Sequence, residues 1–305
     1  MTERTGSAGS GDASGAPSRL PRFPSFYPGN LKEQIAQFLS SRPAAPASAK
    51  PPEAELPERL VAAVVPHAGW RYSGAVAART LRALAERSRP EAILFFGAVH
   101  RELLDRSAVY PDGTWATPLG RARVAHELTA ELLRELGDAV EANPGAHDTE
   151  HSIEVLVPMT LELFPGIPIA PVMVPPHANP ASLGRRVAAL LRGRSVVAVA
   201  STDLTHYGSR FGFTPAGSGA SAHAWMRSND YRMLHLAKRL EAEEMPAEAS
   251  ANRNACGPGA LAAATAFARE LGAVEGRVLE RTDSHEVTGE GEPFESAVGY
   301  AGLVF

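Results

Sequence analysis

Val64-Val65-Pro66-His67-Ala68-Gly69-Trp70 decides the fold prediction, because a run of small apolar residues stops here and delivers a histidine into a glycine-containing turn. The apolar run, residues 60–65, is continuous rather than alternating. A continuous run is typical of a parallel strand that is covered on both faces of its sheet. His67 therefore follows the end of a predicted buried strand.

Two later stretches repeat this design. Residues 92–97 form an apolar run that ends shortly before His100, and residues 195–201 form another that ends before Asp203 and His206. In open α/β sheets, ligands bind outside the carboxyl ends of the parallel strands. If the three strands are neighbours, three histidines and an aspartate gather at one edge of the sheet, which predicts a functional site there.

Strand-like and helical patterns alternate along the rest of the chain, which indicates an α/β protein. We predict a layered αβα domain with a mixed, partly parallel sheet. Asn30 is predicted to cap the first helix, while Pro168 and Pro171 favour an edge position or an irregular start for their strand. The predicted helices cover residues 31–39, 73–84, 125–136, 152–164, 182–191, 222–243 and 258–271, and the predicted strands cover residues 60–65, 92–97, 167–174, 195–201, 273–280 and 297–305.

The composition of the 305 residues predicts one tail and one domain. Residues 1–20 are rich in Gly and Ser and poor in bulky apolar residues, so we expect a disordered tail. Neither an internal repeat nor a second composition regime follows residue 60. Residues 21–305 are therefore predicted to form a single domain.

The charge balance and hydropathy argue against two classes of partner. The formal net charge is −4, whereas a nucleic-acid-binding protein normally presents a basic face. The sequence has no apolar run near the roughly 18–20 residues that span a bilayer, and its N-terminus lacks the apolar core of a signal peptide. We expect a cytoplasmic protein without a nucleic-acid or membrane partner.

A divalent or redox metal ion is the ligand that suits histidines clustered with a carboxylate or a thiolate. Cys256 is the single cysteine, so it is a packed small residue, a reactive thiol or a metal ligand. It precedes a predicted helix with a cap near Asn254. The positive end of that helix dipole is expected to lower the pKa of the thiol and favour the thiolate.

Two pairs of polar residues suggest further roles. Asp203 stands three residues before His206 and is expected to orient its imidazole, which leaves the other ring nitrogen free to act as acid or base. His151 and Glu154 are expected to share a face near a helix start, either as pocket residues or as an ordinary polar cluster.

Other polar residues are interpreted as unrelated to the site. The stretch from His147 to His151 matches the H-x-x-E-H zinc-protease pattern, but Asp148 or Thr149 is the natural N-cap, so His147 is expected to precede the helix. The protease reading is therefore rejected. Surface positions are expected for the remaining histidines and the polar stretch near the C-terminus: His126, His177, His223, His235 and Asp283-Ser284-His285-Glu286.

At these residues the chain resembles the Memo-like family, also called AmmeMemoRadiSam system protein B. The resemblance covers roughly residues 22–305 and rests on four motifs in the family's order. The first, residues 66–74, is similar to the signature P-H-A-G-[YW]-x-Y-S-G. The others are Glu150-His151-Ser152-Ile153-Glu154, Ser201-Thr202-Asp203-Leu204-Thr205-His206-Tyr207-Gly208 and Cys256-Gly257.

The resemblance implies a fold like that of the class III extradiol dioxygenases, which are non-haem iron enzymes, with a pocket at the strand ends. It implies metal ligands at His67, His100 and Cys256, with Asp203 and His206 beside them. Where the dioxygenases have a carboxylate, the Memo-like pattern has the cysteine, which shifts the preference towards copper, while iron remains an option and zinc is compatible. The resemblance also implies a functional link to a radical SAM protein and an AMMECR1-like protein.

One motif departs from the family pattern, and it bears on the pocket wall. The second histidine usually follows G-P-[SN]-H, whereas this chain has Gly97-Ala98-Val99-His100-Arg101. The histidine is kept and its turn is changed. The shape of the pocket near His100 is therefore expected to be particular to this chain.

Three functions remain open. The first is a metal-dependent oxidoreductase that acts on a small molecule or a protein side chain, with His206 and Asp203 as catalytic residues. The second is a non-catalytic module that binds a peptide or small ligand in the same pocket, with Arg71 and Arg101 as anion clamps and Tyr72 beside them. The third is a metal-free hydrolase that uses Cys256 and His206.

Overall fold

The computed structural model describes residues 18–41, 56–289 and 293–305. Most of the tail predicted from the sequence, residues 1–17, lies outside the described residues. The strands are β1 (Ser18–Arg19), β2 (Ala62–Val65), β3 (Ala92–Gly97), β4 (Ser107–Val109), β5 (Thr114–Thr117), β6 (Gly120–Arg123), β7 (Val140–Ala142), β8 (Ile169–Met173), β9 (Val196–Ser201), β10 (His206–Tyr207), β11 (Arg277–Asp283) and β12 (Ala297–Val304). The α-helices are α1 (Leu31–Ser40), α2 (Trp70–Glu86), α3 (His126–Glu135), α4 (Pro144–Asp148), α5 (Val157–Leu163), α6 (Pro180–Leu190), α7 (Ala220–Lys238), α8 (Met245–Asn252), α9 (Pro258–Glu270) and α10 (Ser284–Thr288).

Four parallel strands form the centre of the main sheet, in the order β2, β9, β3, β8. Antiparallel strands flank them, with β12 on β2 and β4 on β8. Strand β7 extends the sheet beyond β4, and β11 and β10 both pair with β12. A smaller sheet has the order β1, β5, β6. The predicted mixed, partly parallel sheet is confirmed.

Helices cover both faces of the main sheet, which explains the continuous apolar runs. In β2, Ala62 and Val64 belong to the core under α3, α6, α7 and α9, whereas Ala63 and Val65 belong to the core under α1, α2 and α5. Successive residues of a strand point to opposite faces, so a strand buried on both sides needs apolar residues throughout. The predicted αβα layering is confirmed.

Of the two alternatives for the strand containing Pro168 and Pro171, the edge position is wrong, because β8 lies between β3 and β4 and begins after Pro168. Proline lacks an N–H but keeps its acceptor, and the carbonyl of Pro171 accepts the N–H of Tyr110. This remaining acceptor lets a strand that contains proline lie inside the sheet.

Several element boundaries differ from the prediction. The predicted helix at residues 152–164 is a 3₁₀ turn, Glu154–Leu156, followed by α5, and the predicted strand at residues 273–280 is shifted to β11. Asn30 precedes α1 as expected, but its side-chain amide donates to Glu33 and does not cap the helix. Strands β4 to β7 were not predicted, because segments of three or four residues are too short to show a periodicity.

Ser18 and Arg19, which the sequence interpretation placed in the tail, pair with a strand of the domain. Ser18 and Arg19 pair in parallel with Thr114 and Trp115 of β5. Arg19 is only 4% exposed. None of the helices in the described part of the chain combines the length and apolarity that crossing a bilayer requires.

His147 lies inside a short helix and not ahead of one, contrary to the expectation. Asn143 caps α4 by accepting the N–H of Ala146, and α4 ends at Asp148, before His151. The Nε2–H of His147 donates to the carbonyl of Ala108 at 3.0 Å. The two histidines of the apparent protease motif thus belong to different elements, and the rejection of that motif stands for this reason.

Helices α6 and α9 are packed closely enough to require a glycine. A Cβ on Gly184 would lie 2.0 Å from the carbonyl oxygen of Ala263. We expect Gly184→Ala to lower the free energy of unfolding by about 1–3 kcal/mol, because the helices must separate to admit the methyl group. Urea unfolding measures this difference. Gly29→Ala, whose methyl would meet nothing within 4 Å, is the control, and equal losses in the two variants would contradict the prediction.

His147 should make the protein sensitive to acid. Burial lowers its pKa to about 3, below the value of 6.5 for a free imidazole, so the folded protein holds it neutral. Its contribution to stability is complete above pH 6.5 and is lost as the pH falls towards 3, at up to about 1.4 kcal/mol per pH unit. His147→Gln keeps a side-chain N–H donor. Its free energy of unfolding should fall less between pH 6.5 and 4 than that of the wild type.

Urea unfolding at several pH values tests this expectation. His126→Gln, which replaces a histidine with a 63% exposed side chain, is the matched control and should follow the wild-type pH profile. Parallel profiles for wild type and His147→Gln would show that His147 does not titrate on unfolding.

Candidate metal site

The predicted gathering of polar residues at one sheet edge is present in the structure. Val65 of β2 pairs with Ser201 of β9, and Phe96 of β3 pairs with Ala200, so the three strands end at the same level. His67, Asp203 and His100 follow β2, β9 and β3 respectively. The strand register thereby places the three side chains at neighbouring exits from the sheet.

Cys256 joins this edge from the turn before α9. Its N–H donates to the carbonyl of Asp203, while the N–H of Asp203 donates to the sulfur at 3.2 Å. Gly257 makes the close approach possible, because a Cβ there would lie 2.6 Å from the carbonyl oxygen of Ser201. The sulfur lies 3.2 Å from Nε2 of His67.

Three imidazole rings face one another at the site. The ring centroids of His67 and His100 are 5.1 Å apart, and the His151 ring lies 5.2 Å from His67 and 4.9 Å from His100. One candidate ligand nitrogen from each ring lies within 4.8 Å of the other two. Candidate ligand atoms of His67, Asp203 and Cys256 meet the same limit. His67 belongs to both groups and is therefore the centre of the site.

The hydrogen bonds of His67 fix which ring nitrogen faces the cysteine. The hydroxyl of Ser201 donates to the carbonyl of Ser152 at 2.6 Å, so its oxygen accepts from Nδ1–H of His67 at 2.8 Å. Nδ1 then carries the proton and Nε2 is the nitrogen with a free lone pair. Burial lowers the pKa of His67 well below 6.5, which keeps the ring neutral as a metal ligand must be.

Glu150 orients His100 in the same way. Its carboxylate lies 2.9 Å from Nδ1 of His100 and also accepts the backbone N–H groups of His100, His151 and Ser152. Burial alone would raise the pKa of Glu150, but these hydrogen bonds and the charge of His100 hold it at about 2. Burial would likewise lower the pKa of His100, and its contacts with Cys256 and Glu150 raise it to about 10.

Sequence reasoning missed Glu150 and Ser201 as site residues. Both stand in motifs that were noticed for other residues: Glu150 directly precedes His151, and Ser201 ends β9. A histidine ligand needs a partner for its second nitrogen, and that requirement could have drawn attention to polar residues at these positions.

Asp203 does not orient His206 as expected. Its carboxylate accepts the backbone N–H of His67 at 2.8 Å, whereas Nδ1–H of His206 donates to the carbonyl of Leu204. In an extended loop, side chains three residues apart do not point to the same side, so Asp203 and His206 bind different partners. Burial raises the pKa of Asp203 to about 7 and lowers that of His206 to about 4.

His151 and Glu154 were expected to share a face, and the structure separates them. His151 joins the imidazole group, with its side chain 21% exposed. Glu154 points away from the group and forms a buried ion pair with Arg19 at 2.6 Å. The chain turns between them as an irregular segment and a 3₁₀ turn, so Glu154 is not a pocket residue.

The three residues expected to clamp an anion, Arg71, Arg101 and the neighbouring Tyr72, are all exposed. Arg71 and Tyr72 lie in the first turn of α2, with the Arg71 guanidinium 5.6 Å from the centroid of the Tyr72 ring. Arg101 is exposed after His100. After burial and the neighbouring His100, its charge further lowers the pKa of His151, to about 4. The positive charge of Arg101 therefore acts on the imidazole group.

The environment of Cys256 opposes a metal-free nucleophile. Burial raises the pKa of the thiol, which is the reverse of the expected effect of the helix start. Gly257, and not Asn254, is the N-cap of α9. The histidines that contact the sulfur are His67 and His100, and not His206. A raised thiol pKa and the wrong histidine partner argue against the Cys256–His206 hydrolase.

The donor set fits a metal ion. Metal bonds of about 2.0–2.3 Å separate two ligand atoms of a tetrahedral site by roughly 3.3–3.8 Å. The distance of 3.2 Å between Nε2 of His67 and the Cys256 sulfur is close to this range. With Nδ1 engaged in both His67 and His100, Nε2 of each ring is the nitrogen left to bind an ion. His67 is already neutral, whereas His100, with its pKa raised to about 10, releases a proton when it binds a metal.

A cavity of about 320 Å³ is lined in part by Cys256. It lies between the ends of β3 and β8 and helix α8. Its walls are mainly apolar and include Val99, Val174, Pro246, Ala249 and Ala255. Its size is at the lower end of the range for small-molecule pockets.

A second polar cluster lies elsewhere, where surface residues were expected. Nε2 of His223 is 2.7 Å from the carboxylate of Asp283, which is fully buried. The same carboxylate also accepts from Arg281 at 3.0 Å and from the N–H of Glu286. Arg281 already neutralises the negative charge of this carboxylate, so a metal ion would gain little by binding there. We interpret the cluster as one that stabilises the fold.

Comparison with known proteins agrees with the architecture. The family described as Memo-like protein matches residues 24–304. A MEMO1 family protein of Thermococcus kodakarensis is 36% identical over 258 residues, which cover 81% of this chain and 87% of the relative. A MEMO1 family protein of Thermococcus onnurineus is 32% identical, with 94% and 99% covered.

The fold also has a counterpart among solved structures. An uncharacterized protein from Escherichia coli K12 superposes with a TM-score of 0.50 at 16% identity, covering 81% of this chain and 100% of the other. That likeness concerns the fold alone. With the family match over nearly the whole described chain and the sequence identities above, the chain belongs to the Memo-like family, whose fold is dioxygenase-like.

Proposed function

We propose that this protein is a metal-dependent oxidoreductase whose centre is held by His67, His100 and Cys256. The observation that carries the proposal is the contact between Nε2 of His67 and the Cys256 sulfur, with Nδ1 of the same ring bound to Ser201. Nε2 of His67 thus faces the sulfur, and the His100 ring lies 5.1 Å from the His67 ring and gives up a proton on metal binding. Asp203 and His151 lie close enough to supply a further ligand.

The mixture of donors supports a redox metal. Thiolate is a soft ligand that favours copper, and imidazole suits copper, iron and zinc alike. A bound copper or iron ion would supply electron transfer or O₂ chemistry. The partly exposed side chains of His100 and His151, 27% and 21%, support an opening through which a small molecule or protein side chain reaches the centre.

His206 is suited to move a proton beside the centre. Its Nδ1–H is held by Leu204, so Nε2 is the free acceptor, and burial keeps the ring neutral at pH 7. Asp203, with its pKa raised by burial to about 7, can hold or release a proton near neutrality. In this proposal the two residues act independently as acid–base groups, without a direct bond between their side chains.

Metal content tests the ligand assignment. We expect His67→Ala, His100→Ala and Cys256→Ala each to lower the metal content of protein purified without chelators or a metal column by at least about tenfold, because each removes a donor. Elemental analysis measures the content, and electron paramagnetic resonance separates copper from iron. His235→Ala, at an exposed position on α7, is the control and should retain the metal. Equal content in all four variants and the wild type would defeat the assignment.

A second function, binding of a small acid without catalysis, is favoured by the charges around the opening. Arg101 is among the groups that lower the pKa of His151, and Arg210 and Arg253 are among those that lower the pKa of His206, each after burial. Cationic side chains so close to the site would attract a carboxylate ligand.

Benzoate is a suitable probe of this second function. We expect Arg101→Ala to weaken benzoate binding about tenfold, the loss of one charge-assisted hydrogen bond, and Cys256→Ser to leave it unchanged. Isothermal titration calorimetry measures both affinities. Arg134→Ala, an exposed arginine on α3, is the control. Unchanged benzoate affinity in Arg101→Ala would contradict this second function. Loss of benzoate binding in Cys256→Ser would indicate that binding depends on the metal centre.

A further inference from the structure

The N-terminal arm, residues 18–27, is anchored to the domain through the buried Arg19. The Arg19 side chain is 1% exposed, and its Nη1 lies 2.6 Å from the carboxylate of Glu154, whose side chain is 2% exposed. Its guanidinium also stacks on the Trp115 ring, 4.3 Å from the centroid. A buried guanidinium is stable only when its charge and its donors are satisfied.

The remaining donors of Arg19 bind the main chain that leads into the site. Nε and Nη2 donate to the carbonyl of His147, at 3.2 and 2.7 Å, and Nη2 also donates to the carbonyl of Glu150 at 3.2 Å. One guanidinium thus ties together three points of the segment 147–154. The rigid fork of donors in arginine suits this role, which the single ammonium of lysine cannot reproduce.

The segment 147–154 carries two groups of the candidate metal site. Glu150 holds Nδ1 of His100, and His151 is the third imidazole of the group. The arm also contacts the site directly, because the rings of Phe23 and Phe26 lie 5.5 and 4.9 Å from the His151 ring. The arm is therefore a wall of the site as well as a neighbour of its supporting segment.

Glu154 fixes the arm from the opposite side of the ion pair. Its carboxylate accepts the backbone N–H groups of Arg22 and Phe23 at 3.0 and 2.9 Å. The hydroxyl of Tyr27 donates to the Glu154 carbonyl at 3.0 Å. The position of the two phenylalanine rings against His151 thus depends on the same ion pair.

We propose that Arg19 is a positioning residue of the metal site, which sets His100 through Glu150 and holds His151 through the segment 147–154 and the arm. This inference rests on the proposed metal centre. It assigns a role to a residue that lies outside the pocket and touches none of the three proposed ligands in the contacts above. Without Arg19 the segment loses its three anchors, and the two imidazoles lose their fixed orientation.

The test compares two buried ion pairs in the full-length protein. The variant Arg19→Met with Glu154→Gln removes both charges together, because removing one alone would leave an unpaired buried charge and destabilise the fold. The matched control is Arg79→Met with Glu280→Gln, a pair with 12% and 4% exposed side chains that joins α2 to β11. Its hydrogen bonds reach Phe38 and Ser41 and no residue of the site.

Cobalt(II) is the metal probe, since its absorption reports both thiolate ligation and coordination geometry. We expect the Arg19/Glu154 variant to bind Co²⁺ at least about tenfold more weakly than wild type, with shifted visible bands, which is the range for lost supporting contacts of a metal ligand. The Arg79/Glu280 variant should keep the wild-type spectrum and affinity even if its melting temperature falls. A wild-type Co²⁺ spectrum and affinity in the Arg19/Glu154 variant would overturn the proposal.

A metal-free measurement separates this inference from the metal proposal. The Nδ1–H of His100, held by Glu150, should give a protected imidazole ¹H–¹⁵N resonance in the wild type that is lost in the Arg19/Glu154 variant. If wild type shows no thiolate-to-cobalt band, the metal proposal fails, and the resonance still decides the role of Arg19. Should the double variant not fold, Arg19→Lys retains the charge beside Glu154 but cannot span both carbonyls, and an unchanged resonance there would also overturn the inference.

Discussion

The common level at which β2, β9 and β3 end is the constraint on which the candidate site depends. Parallel pairing in register places Val65 beside Ser201 and Ala200 beside Phe96. The chain must leave the sheet at each of these points, and its first polar residues then lie next to one another. A shift of one residue in any of the three strands would turn its apolar residues to the opposite faces and separate the exits.

The site is built from histidines whose second nitrogen is already engaged. Ser201 holds His67, and Glu150 holds His100. The hydrogen bond to Ser201 selects the tautomer of His67, and both hydrogen bonds orient their rings before an ion binds. Burial keeps His67 and His151 neutral, while the carboxylate of Glu150 supplies negative charge at the edge of the group.

Support for these contacts comes from parts of the chain that are distant in sequence. Arg19 lies 128 residues before His147, yet one guanidinium joins the arm to the segment that contains Glu150 and His151. The turn of Cys256 reaches the strand ends because Gly257 has no side chain. The site is therefore an assembly of the arm, three strand ends and one helix start, and no single motif contains it.

The sequence by itself determined the layered fold and the polar side chains that follow the central strands. Continuous apolar runs identified the buried parallel strands, and a histidine or an aspartate after each run identified His67, His100 and Asp203, because these signals are local and repeat with the geometry of a strand. Only the tertiary structure decided how these side chains are held. In the folded chain Glu150 binds His100, and Asp203 binds the backbone of His67 and not the side chain of His206. Glu154 forms a buried ion pair with Arg19. Such pairings depend on which distant segments meet after folding and on which buried charges need a partner there. No short stretch of sequence carries that information.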